Sequence, residues 1–570
     1  MTLITRILKN GTATAWTALI IASTLAWSFH LLSFLHAKDL VLAIGLPLVA
    51  WLQYRSKVSV SLKGFLQIAP LWLGLLIWGV SGMVTAQVPS YLLENIIRWL
   101  LILTAAALIL ANFDVFGGRR WLYNTILGAG AAVSALALLQ YAGLITLLLP
   151  VFPGYDQPAY SVFGNQDLLG GYTAFTLVLF LSLWFRSKKR KRGFSLFQAM
   201  VFALLLAALI VSSSRSAWLA AALGGLSIIL LPGGIQRLRR SLRARHRNAL
   251  FLLLLVAMAL LALSAAQLYE RSAASFSEDD VGGHARLWFW AGAADMIRDH
   301  PWLGVGLGQF AYWSPSYQGR VLWAPGGAAY YHNELHTDHA HGELLDWMSE
   351  TGIAGILCWI VFFILTFRKR NPALPALITL GVFGLFNSFS HSTPHVLAML
   401  LLAVPKDSVT ARPLQLPRFA LLCLTLLAAL TFIATTVIPS ALLCRAEQAH
   451  LAGDSSGIYY EKALAWHWPN YRAHENYGLA LFESEDYKGA WEHLLLAKKG
   501  SDTGRIYYLL ALCAAAREDQ ESIRFYARQC LLRWPGNRHM WTLLLAHCPP
   551  EERATWEMMQ EKFVKGKGSE

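Results

Sequence analysis

Long apolar stretches alternate with short basic segments along most of the chain. Several of these stretches approach or exceed the roughly 20 residues that an α-helix needs to cross a bilayer. Lysine and arginine concentrate between them, most densely in residues 186–192 (RSKKRKR) and 236–248 (QRLRRSLRARHRN). When each stretch is taken as one crossing, every basic cluster falls on the same, cytoplasmic side. The pattern predicts an all-α polytopic membrane protein with about 12–13 transmembrane helices.

This topology divides the chain into four segments. Residues 1–267 are predicted to form an N-terminal transmembrane bundle, residues 268–347 a large outer loop, and residues 348–440 further transmembrane helices. Residues 441–570 have amphipathic patterning, which indicates a helical domain outside the membrane. With the basic segments in the cytoplasm, the large loop and the C-terminal tail both lie on the outer face.

The tail contains two stretches that resemble each other. Gly478 and Ala511 occupy equivalent places in them, roughly one tetratricopeptide period of about 34 residues apart. The small and aromatic positions fit stacked helix pairs, so we predict a tetratricopeptide-like repeat domain that offers a docking surface for protein partners. An ordinary helical hairpin is the alternative.

Composition agrees with the membrane assignment and excludes other classes. The chain is 56% hydrophobic and only 14% charged, whereas soluble domains carry about 25% charged residues. The net charge of +14 follows from the basic cytoplasmic segments, so we expect no nucleic-acid partner. Six cysteines are too few for a disulfide scaffold, and pairing among the tail cysteines is left open.

Three arginines occupy positions suited to binding an anion. Arg215 in SSSRSAW lies where a span meets the outer face, Arg98 lies about two helical turns inside the fourth span, and Arg286 lies in the outer loop. A guanidinium group matches phosphate oxygens with paired hydrogen bonds, and the serines near Arg215 add donors. The alternatives are an interfacial anchor for Arg215 and a local ion pair with Glu94 for Arg98.

Four histidines lie close together at the end of the outer loop, namely His332, His336, His339 and His341. A zinc site is one interpretation. However, HNELH places its glutamate at the wrong position for the HExxH pattern, and the flanking residues are glycine-rich and aromatic, so we expect no metal. A solvated loop without chemistry is a second interpretation. The third is a histidine that accepts the proton of a hydroxyl nucleophile, which its ordinary pKa near 6.5 suits.

Four short motifs decide between these interpretations. The first reads H-x3-L-x4-E-x-G-x2-G and enters a membrane helix, the second is SSSRSAW, the third reads R…W…DxPxxGxGxxxF, and the fourth is FGNxxxLxGY. The first motif consists of His341, Leu345, Glu350, Gly352 and Gly355, and the second contains Arg215. The third consists of Arg286, Trp290, Asp299, Pro301, Gly304, Gly306 and Phe310, and the fourth runs from Phe163 to Tyr172. In this combination and order they resemble the O-antigen ligase and polymerase superfamily over roughly residues 60–405. Gly342 stands where that family often has asparagine, which makes His339 a competitor for the role of His341.

The resemblance implies a GT-C-like helical bundle in the bacterial inner membrane, with the active face and the C-terminus in the periplasm. It implies transfer of a glycan from an undecaprenyl-diphosphate carrier to an acceptor hydroxyl, with inversion and without a metal or cofactor. His341 would be the catalytic base, and Arg215, Arg286 and Arg98 would bind the donor diphosphate. The residues expected to line the cleft are Asn165, His339, Asn387 and His391.

The acceptor is the least defined partner. Lipid A-core, a growing glycan and a protein are each compatible with this scaffold, and they correspond to an O-antigen ligase, a polymerase and a protein O-oligosaccharyltransferase. The outer tail favours the latter two. A transporter and a non-catalytic scaffold for envelope assembly are alternatives from other classes, although the spans show no inverted repeat. Membrane lipids are partners in every case.

Overall fold

The computed structural model describes residues 3–55, 61–113, 118–149, 159–186, 196–242, 281–330, 337–366, 371–404, 417–453, 456–466 and 468–564, with the single residues 258, 262 and 269. Within these ranges the regular secondary structure is helical and contains no β-strand. The predicted fold class, an all-α polytopic membrane protein, is confirmed.

The helices of the first half follow the apolar stretches and end near the basic segments. They are α1 (Leu3–Leu25), α2 (Phe34–Arg55), α3 (Lys63–Gln67), α4 (Ala69–Thr85), α5 (Pro89–Ala111), α6 (Gly118–Tyr141), α7 (Gln166–Arg186), α8 (Leu196–Val211), α9 (Arg215–Leu230) and α10 (Gly234–Leu242).

The helices of the second half change from apolar to amphipathic along the chain. They are α11 (Val281–Asp299), α12 (Phe310–Trp323), α13 (Glu343–Thr366), α14 (Leu374–Gly384), α15 (Thr393–Ala403), α16 (Arg418–Phe432), α17 (Ile438–Leu451), α18 (Gly457–Ala465), α19 (Tyr471–Glu483), α20 (Tyr487–Ala497), α21 (Gly504–Ala516), α22 (Gln520–Arg533), α23 (Arg538–His547) and α24 (Pro550–Val564).

Among the described residues, six helical stretches are long and apolar enough to cross a membrane, and shorter apolar helices accompany them. The six are Phe34–Arg55, Pro89–Ala111, Gly118–Tyr141, Gln166–Arg186, Glu343–Thr366 and Arg418–Leu451. The predicted span at residues 249–267 lies outside the described residues except for 258 and 262, so the total of 12–13 crossings stays a prediction. Helices α14 and α15 have 11 residues each, or about 16 Å, which is half the thickness of the hydrocarbon layer.

The chain forms two compact units, which are described separately below. Unit 1 consists of residues 1–75, 97–278 and 357–433, and unit 2 of residues 76–96, 279–356 and 434–570.

Small residues bring the helices of unit 1 into close contact. A Cβ atom built on Gly224 of α9 would lie 1.9 Å from Oγ1 of Thr379 in α14. One built on Gly170 of α7 would lie 2.7 Å from Cβ of Ser214 at the start of α9. Close backbone approach at small residues is the usual basis of helix packing in membranes.

The tail consists of short helices with defined starts. Four of them begin after a side chain that accepts a hydrogen bond from a backbone N–H in the first turn, which is the usual helix N-cap. These caps are Asn470 to Ala473, Asp486 to Gly489, Asp519 to Ser522 and Asn537 to Met540. Successive helices then pack in pairs, α19 with α20 and α21 with α22. The assignment to the tetratricopeptide class stays a prediction.

Candidate active site

In unit 2, helix α13 is kinked, and the glycine-rich segment between α11 and α12 packs against the kink. Gly352 has φ 62° and ψ −164°, a combination that essentially only glycine adopts. On one side of the kink Ile353 N donates a hydrogen bond to Pro301 O at 2.9 Å. On the other side Gly306 N donates to Glu350 O at 2.9 Å. Two motifs that are separate in sequence are therefore joined through their backbones.

Two glycines make this backbone contact possible. A Cβ on Gly352 would lie 2.4 Å from the carbonyl carbon of Trp302. A Cβ on Gly304, whose φ is +67°, would lie 2.3 Å from the carbonyl carbon of Glu350. Both distances are far shorter than any ordinary van der Waals contact between carbons. These motif glycines are therefore needed for packing rather than for chemistry.

Two motif carboxylates fix the ends of the same segment. Glu350 Oε1 accepts a hydrogen bond from Phe310 N at 3.2 Å. Asp299 Oδ2 accepts from Arg320 Nη1 at 2.6 Å and from Tyr317 OH at 3.2 Å. The hydrogen bond from Arg320 holds the pKa of Asp299 below its usual value. Both carboxylates tie helix α12 to its neighbours.

His341 lies directly before α13 and is held from several directions. Its φ is +53°, which is uncommon for a residue other than glycine and is typical of functional positions. Trp290 Nε1 donates to the His341 carbonyl at 3.4 Å, and the imidazole stacks on Phe289 with 5.7 Å between ring centroids. The preceding Ala340 N donates to Asp346 Oδ1 at 2.5 Å. The backbone and the ring are therefore both oriented.

His339, the competing histidine, lies beside His341 but has a different environment. The two ring centroids are 4.2 Å apart. His339 Nδ1 lies 2.5 Å from Oδ1 of Asp338. Burial disfavours the charged form of His339, but the hydrogen bond to Asp338 and the charges of three nearby carboxylates outweigh it and raise its pKa. His339 therefore keeps its proton over a wider pH range, and less of it is available as a base.

Helix α11 carries both Arg286 and the residues that contact His341. Phe289 and Trp290, which contact His341, follow Arg286 by three and four residues on this helix. Residues with this spacing share one helix face. Arg286 therefore lies one turn from the residues that hold His341.

Gln309 is a site residue that the sequence did not indicate. Its Oε1 accepts from Val88 N at 2.8 Å, its Nε2 donates to Val88 O at 3.0 Å, and its side chain is fully buried. The turn before α5 is thus fixed to the glycine-rich segment of unit 2. The only signal was a glutamine among glycines and apolar residues.

In unit 1, Arg98 is part of a buried ion pair. Its Nε donates to Asp39 Oδ2 at 3.0 Å and its Nη2 donates to Ser390 O at 2.8 Å. Thr393 Oγ1 also donates to Asp39, and the Arg98 and Asp39 side chains are only 13% and 5% exposed. The partner is Asp39, so the alternative of a local pair with Glu94 is wrong. A role of Arg98 in diphosphate binding stays a prediction.

Lys38, next to Asp39, is a second buried charge that we did not single out. Its Nζ donates to Thr24 O at 2.7 Å and to Ala26 O at 2.9 Å, and it lies 4.6 Å from the ring centroid of Phe163. Phe163 belongs to the FGN motif. The sequence signal for this residue was a Lys-Asp pair inside an apolar helix, because ionisable residues within membrane spans usually have a function.

Arg215 is the first residue of α9, and the polar side chains around it form one network. Ser214 Oγ donates to Asp167 Oδ1 at 2.5 Å and lies 3.2 Å from Ser216 Oγ. Asn387 Nδ2 donates to Ser216 Oγ at 2.6 Å. The structure therefore places the predicted residues Arg215 and Asn387 in the same cluster.

The other predicted residues of unit 1 lie around this network. Asn165 Oδ1 accepts from Asp167 N at 2.7 Å and so caps α7. His391 ends a 3₁₀ turn, Phe389–His391, before α15. His395, four residues further on, is fully buried, with Nδ1 2.8 Å from the hydroxyl of Ser392. The cleft-lining roles of Asn165, His339, Asn387 and His391 stay predictions.

Part of the histidine cluster cannot be placed, because His332 and His336 lie outside the described residues. Among the residues that the structure describes, no group of three or more His, Cys, Asp or Glu side chains is arranged to hold a metal ion. Cys358, Cys423, Cys513 and Cys548 are free thiols.

The all-helical fold and its apolar spans define a polytopic membrane protein. Residues 200–360 match the family model described as O-antigen ligase, which confirms the resemblance seen in the motifs. This family groups glycosyltransferases of the O-antigen ligase and polymerase type. A search of curated proteins gives no match.

Proposed function

We propose that this protein transfers a glycan from an undecaprenyl-diphosphate carrier to an acceptor hydroxyl on the periplasmic face of the bacterial inner membrane. The match of residues 200–360 to the O-antigen ligase family carries the proposal, because this range contains Arg215, Arg286 and His341 together. The contacts that hold His341 one turn from Arg286 on α11 support it.

His341 is the general base of the proposed reaction. It takes the proton of the acceptor hydroxyl while the hydroxyl oxygen attacks the anomeric carbon of the donor sugar. The bond from that carbon to the diphosphate oxygen breaks, and its electron pair leaves with the lipid diphosphate. A single displacement of this kind inverts the anomeric centre. His339 is less suited to the role, because its raised pKa leaves a smaller fraction of it in the basic form.

Arginine side chains stabilise the charge that develops on the departing diphosphate. Arg286 and Arg215 are the main candidates, since a planar guanidinium group binds phosphate oxygens in pairs and stays charged at every physiological pH. Fixed positive groups lower the energy of the transition state most when they are oriented in advance. Arg98 has the weaker claim, because its guanidinium already binds Asp39 and Ser390. With arginines supplying the charge, the proposed reaction needs no metal.

The acceptor is to be found among lipid A-core, a growing glycan and a protein, as for an O-antigen ligase, a polymerase and a protein O-oligosaccharyltransferase. The helical tail favours the last two, because a module outside the membrane adds a docking surface for a large acceptor.

The test is a transfer assay with the purified protein, polyprenyl-diphosphate oligosaccharide and EDTA. Separate reactions contain lipid A-core, a periplasmic protein extract, or donor alone. We expect product with one acceptor only, and a loss of about 10²–10⁴-fold in rate for His341→Ala. His339→Ala is the matched control and is expected to retain most of the activity.

Two results would contradict this assignment. Equal activity of His341→Ala and the wild type, with His339→Ala inactive, would move the base to His339. No product with any acceptor, from protein shown to be folded, would favour a transporter or a scaffold.

A further inference from the structure

The tail and the outer-loop helices α11 and α12 form one hydrophobic core within unit 2. Trp288 and Phe289 of α11 and Leu322 of α12 belong to the same buried cluster as Leu510 of α21 and Trp541 of α23. All five side chains are at most 6% exposed. Neither part can bury these surfaces alone, so the loop helices depend on the tail for their packing.

The backbones of helix α12 in the outer loop and helix α22 in the tail approach each other closely. A Cβ on Gly319 would lie 2.2 Å from the carbonyl oxygen of Leu532. One turn further along α12, Trp323 Nε1 donates to the same oxygen at 3.2 Å. The two helices are therefore in backbone contact at Gly319, and any side chain there must separate them.

A buried polar cluster fixes the same two helices to each other. We call Ser316, Asp502, Tyr507 and Arg533 the Asp502 cluster. Asp502 accepts from Ser316 Oγ, from Tyr507 OH at 2.6 Å, and from Arg533 Nε at 3.0 Å and Nη2 at 2.6 Å. The Arg533 and Asp502 side chains are only 10% and 12% exposed. An enclosed, fully paired cluster of this kind specifies one geometry.

Helices α11 and α12, which pack against the tail, also contact His341 and the residues just before it. Helix α12 binds the segment before His341, because Ser314 Oγ donates to Thr337 O at 2.7 Å. Helix α11 binds His341 itself through Phe289 and Trp290. A continuous set of contacts therefore runs from Asp502 through α12 to His341.

We propose that the tail is a positioning element of the active site, and that the residues of the Asp502 cluster are positioning residues that act on His341 through α12. This inference rests on the proposed function as far as catalysis is concerned. It assigns the tail a part in the reaction itself, in addition to any docking of an acceptor.

The test uses the full chain and two substitutions that disturb the α12–α22 contact in different ways. Gly319→Ala inserts a methyl group against the Leu532 carbonyl and leaves every charge in place. Asp502→Asn keeps the shape and removes the charge. The matched control is Gly292→Ala on α11, where the added Cβ would meet its nearest neighbour, Gln318, at an ordinary 3.5 Å.

The first measurement is hydrogen exchange by mass spectrometry of the peptide that covers residues 337–342. We expect exchange about tenfold faster or more in both variants, the equivalent of one lost buried hydrogen bond, and no change in the control. This measurement does not require activity. If exchange at residues 337–342 stays at the wild-type rate while the α12–α22 contact is disturbed, the inference is wrong.

The second measurement is the pH profile of the transfer rate. Displacing His341 changes its surroundings and is expected to move the inflection of the profile and lower kcat by about tenfold or more. A loss of folded protein alone would scale the profile without moving it, which would count against positioning. Arg533→Lys, which keeps the charge facing Asp502, is expected to retain more of the rate than Asp502→Asn does. If the wild type transfers nothing, the proposed function fails, and the exchange data still decide whether the tail positions the segment.

Discussion

Gly352 offers the sharpest test of how the candidate site is built. Its φ of 62° and ψ of −164° lie in a region that residues with a side chain avoid. The Cβ of an alanine would also lie 2.4 Å from the carbonyl carbon of Trp302. The unfavourable φ and ψ angles and the steric overlap both involve the backbone, so no side-chain rearrangement relieves them. We therefore expect Gly352→Ala to open the contact between α13 and the glycine-rich segment.

The size of the effect follows from two contributions. Holding a non-glycine residue in this region costs about 1–3 kcal/mol. Separating the backbones also breaks the bonds from Ile353 N to Pro301 O and from Ala354 N to Trp302 O, at 2.9 and 3.2 Å, each worth about 1 kcal/mol. The sum is about 3–5 kcal/mol, which corresponds to a fall of about 10 °C in Tm for a cooperative unit of the size of unit 2.

The assay is thermal unfolding of the purified protein in detergent, followed by the transfer assay. Gly381→Ala is the control, because Gly381 lies inside α14 and an added Cβ meets no atom within 4 Å. An alanine there is expected to leave Tm unchanged or to raise it slightly, since alanine is the better helix former by about 1 kcal/mol. A Tm for Gly352→Ala within 2 °C or so of this control would refute the reasoning.

Three further predictions concern other parts of unit 2. Gln309→Leu would leave the buried N–H of Val88 without its partner and remove one of the hydrogen bonds that the Val88 C=O accepts. We expect Tm to fall by about 5 °C, with an unchanged melting curve as the contrary result. The pKa of His339 beside Asp338 is raised in the folded state. Protonated His339 therefore stabilises the fold below the pKa of histidine in the unfolded chain, about 6.5, and this stabilisation is lost as the pH rises through the folded-state pKa. The Tm difference between wild type and His339→Gln should therefore shrink towards alkaline pH, and a difference that grows would contradict it. Burial and an adjacent histidine lower the pKa of His474 in the tail to about 4. The free energy of unfolding should therefore fall as the pH drops from about 6.5 towards 4. His474→Gln should remove this acid sensitivity in thermal unfolding measured from about pH 7.5 to 5.

The class of fold was predictable, because it depends on properties that are local in sequence. The length of each apolar stretch indicates whether a helix can cross the membrane, and basic segments such as residues 186–192 separate one stretch from the next. The motif around His341 also has a local spacing, so the histidine and its helix could be identified together. The family match at residues 200–360 agrees with that identification.

The partners of these residues were not predictable, because they come from distant parts of the chain. For Arg98 the sequence suggested a diphosphate or, as the alternative, a carboxylate one turn away, yet it binds Asp39, which lies 59 residues earlier. Gln309 binds Val88 across 221 residues. Ser316 binds Asp502 across 186 residues. Spacing along one helix carries no information on such contacts, and only the packing of the helices decides them.

In the motif at the start of α13, His341 is the proposed base, and three other motif residues have roles in packing. Glu350 accepts the Phe310 N–H, Gly352 permits the kink, and Gly355 leaves room for Thr351, whose Oγ1 would lie 1.9 Å from an added Cβ. None of these three roles involves the transfer of a proton or the binding of a phosphate. Substitutions at the glycines should therefore reduce stability and activity together, whereas His341→Ala should reduce activity and leave the melting temperature nearly unchanged. A protein whose base were instead His339 would show the second pattern at that residue.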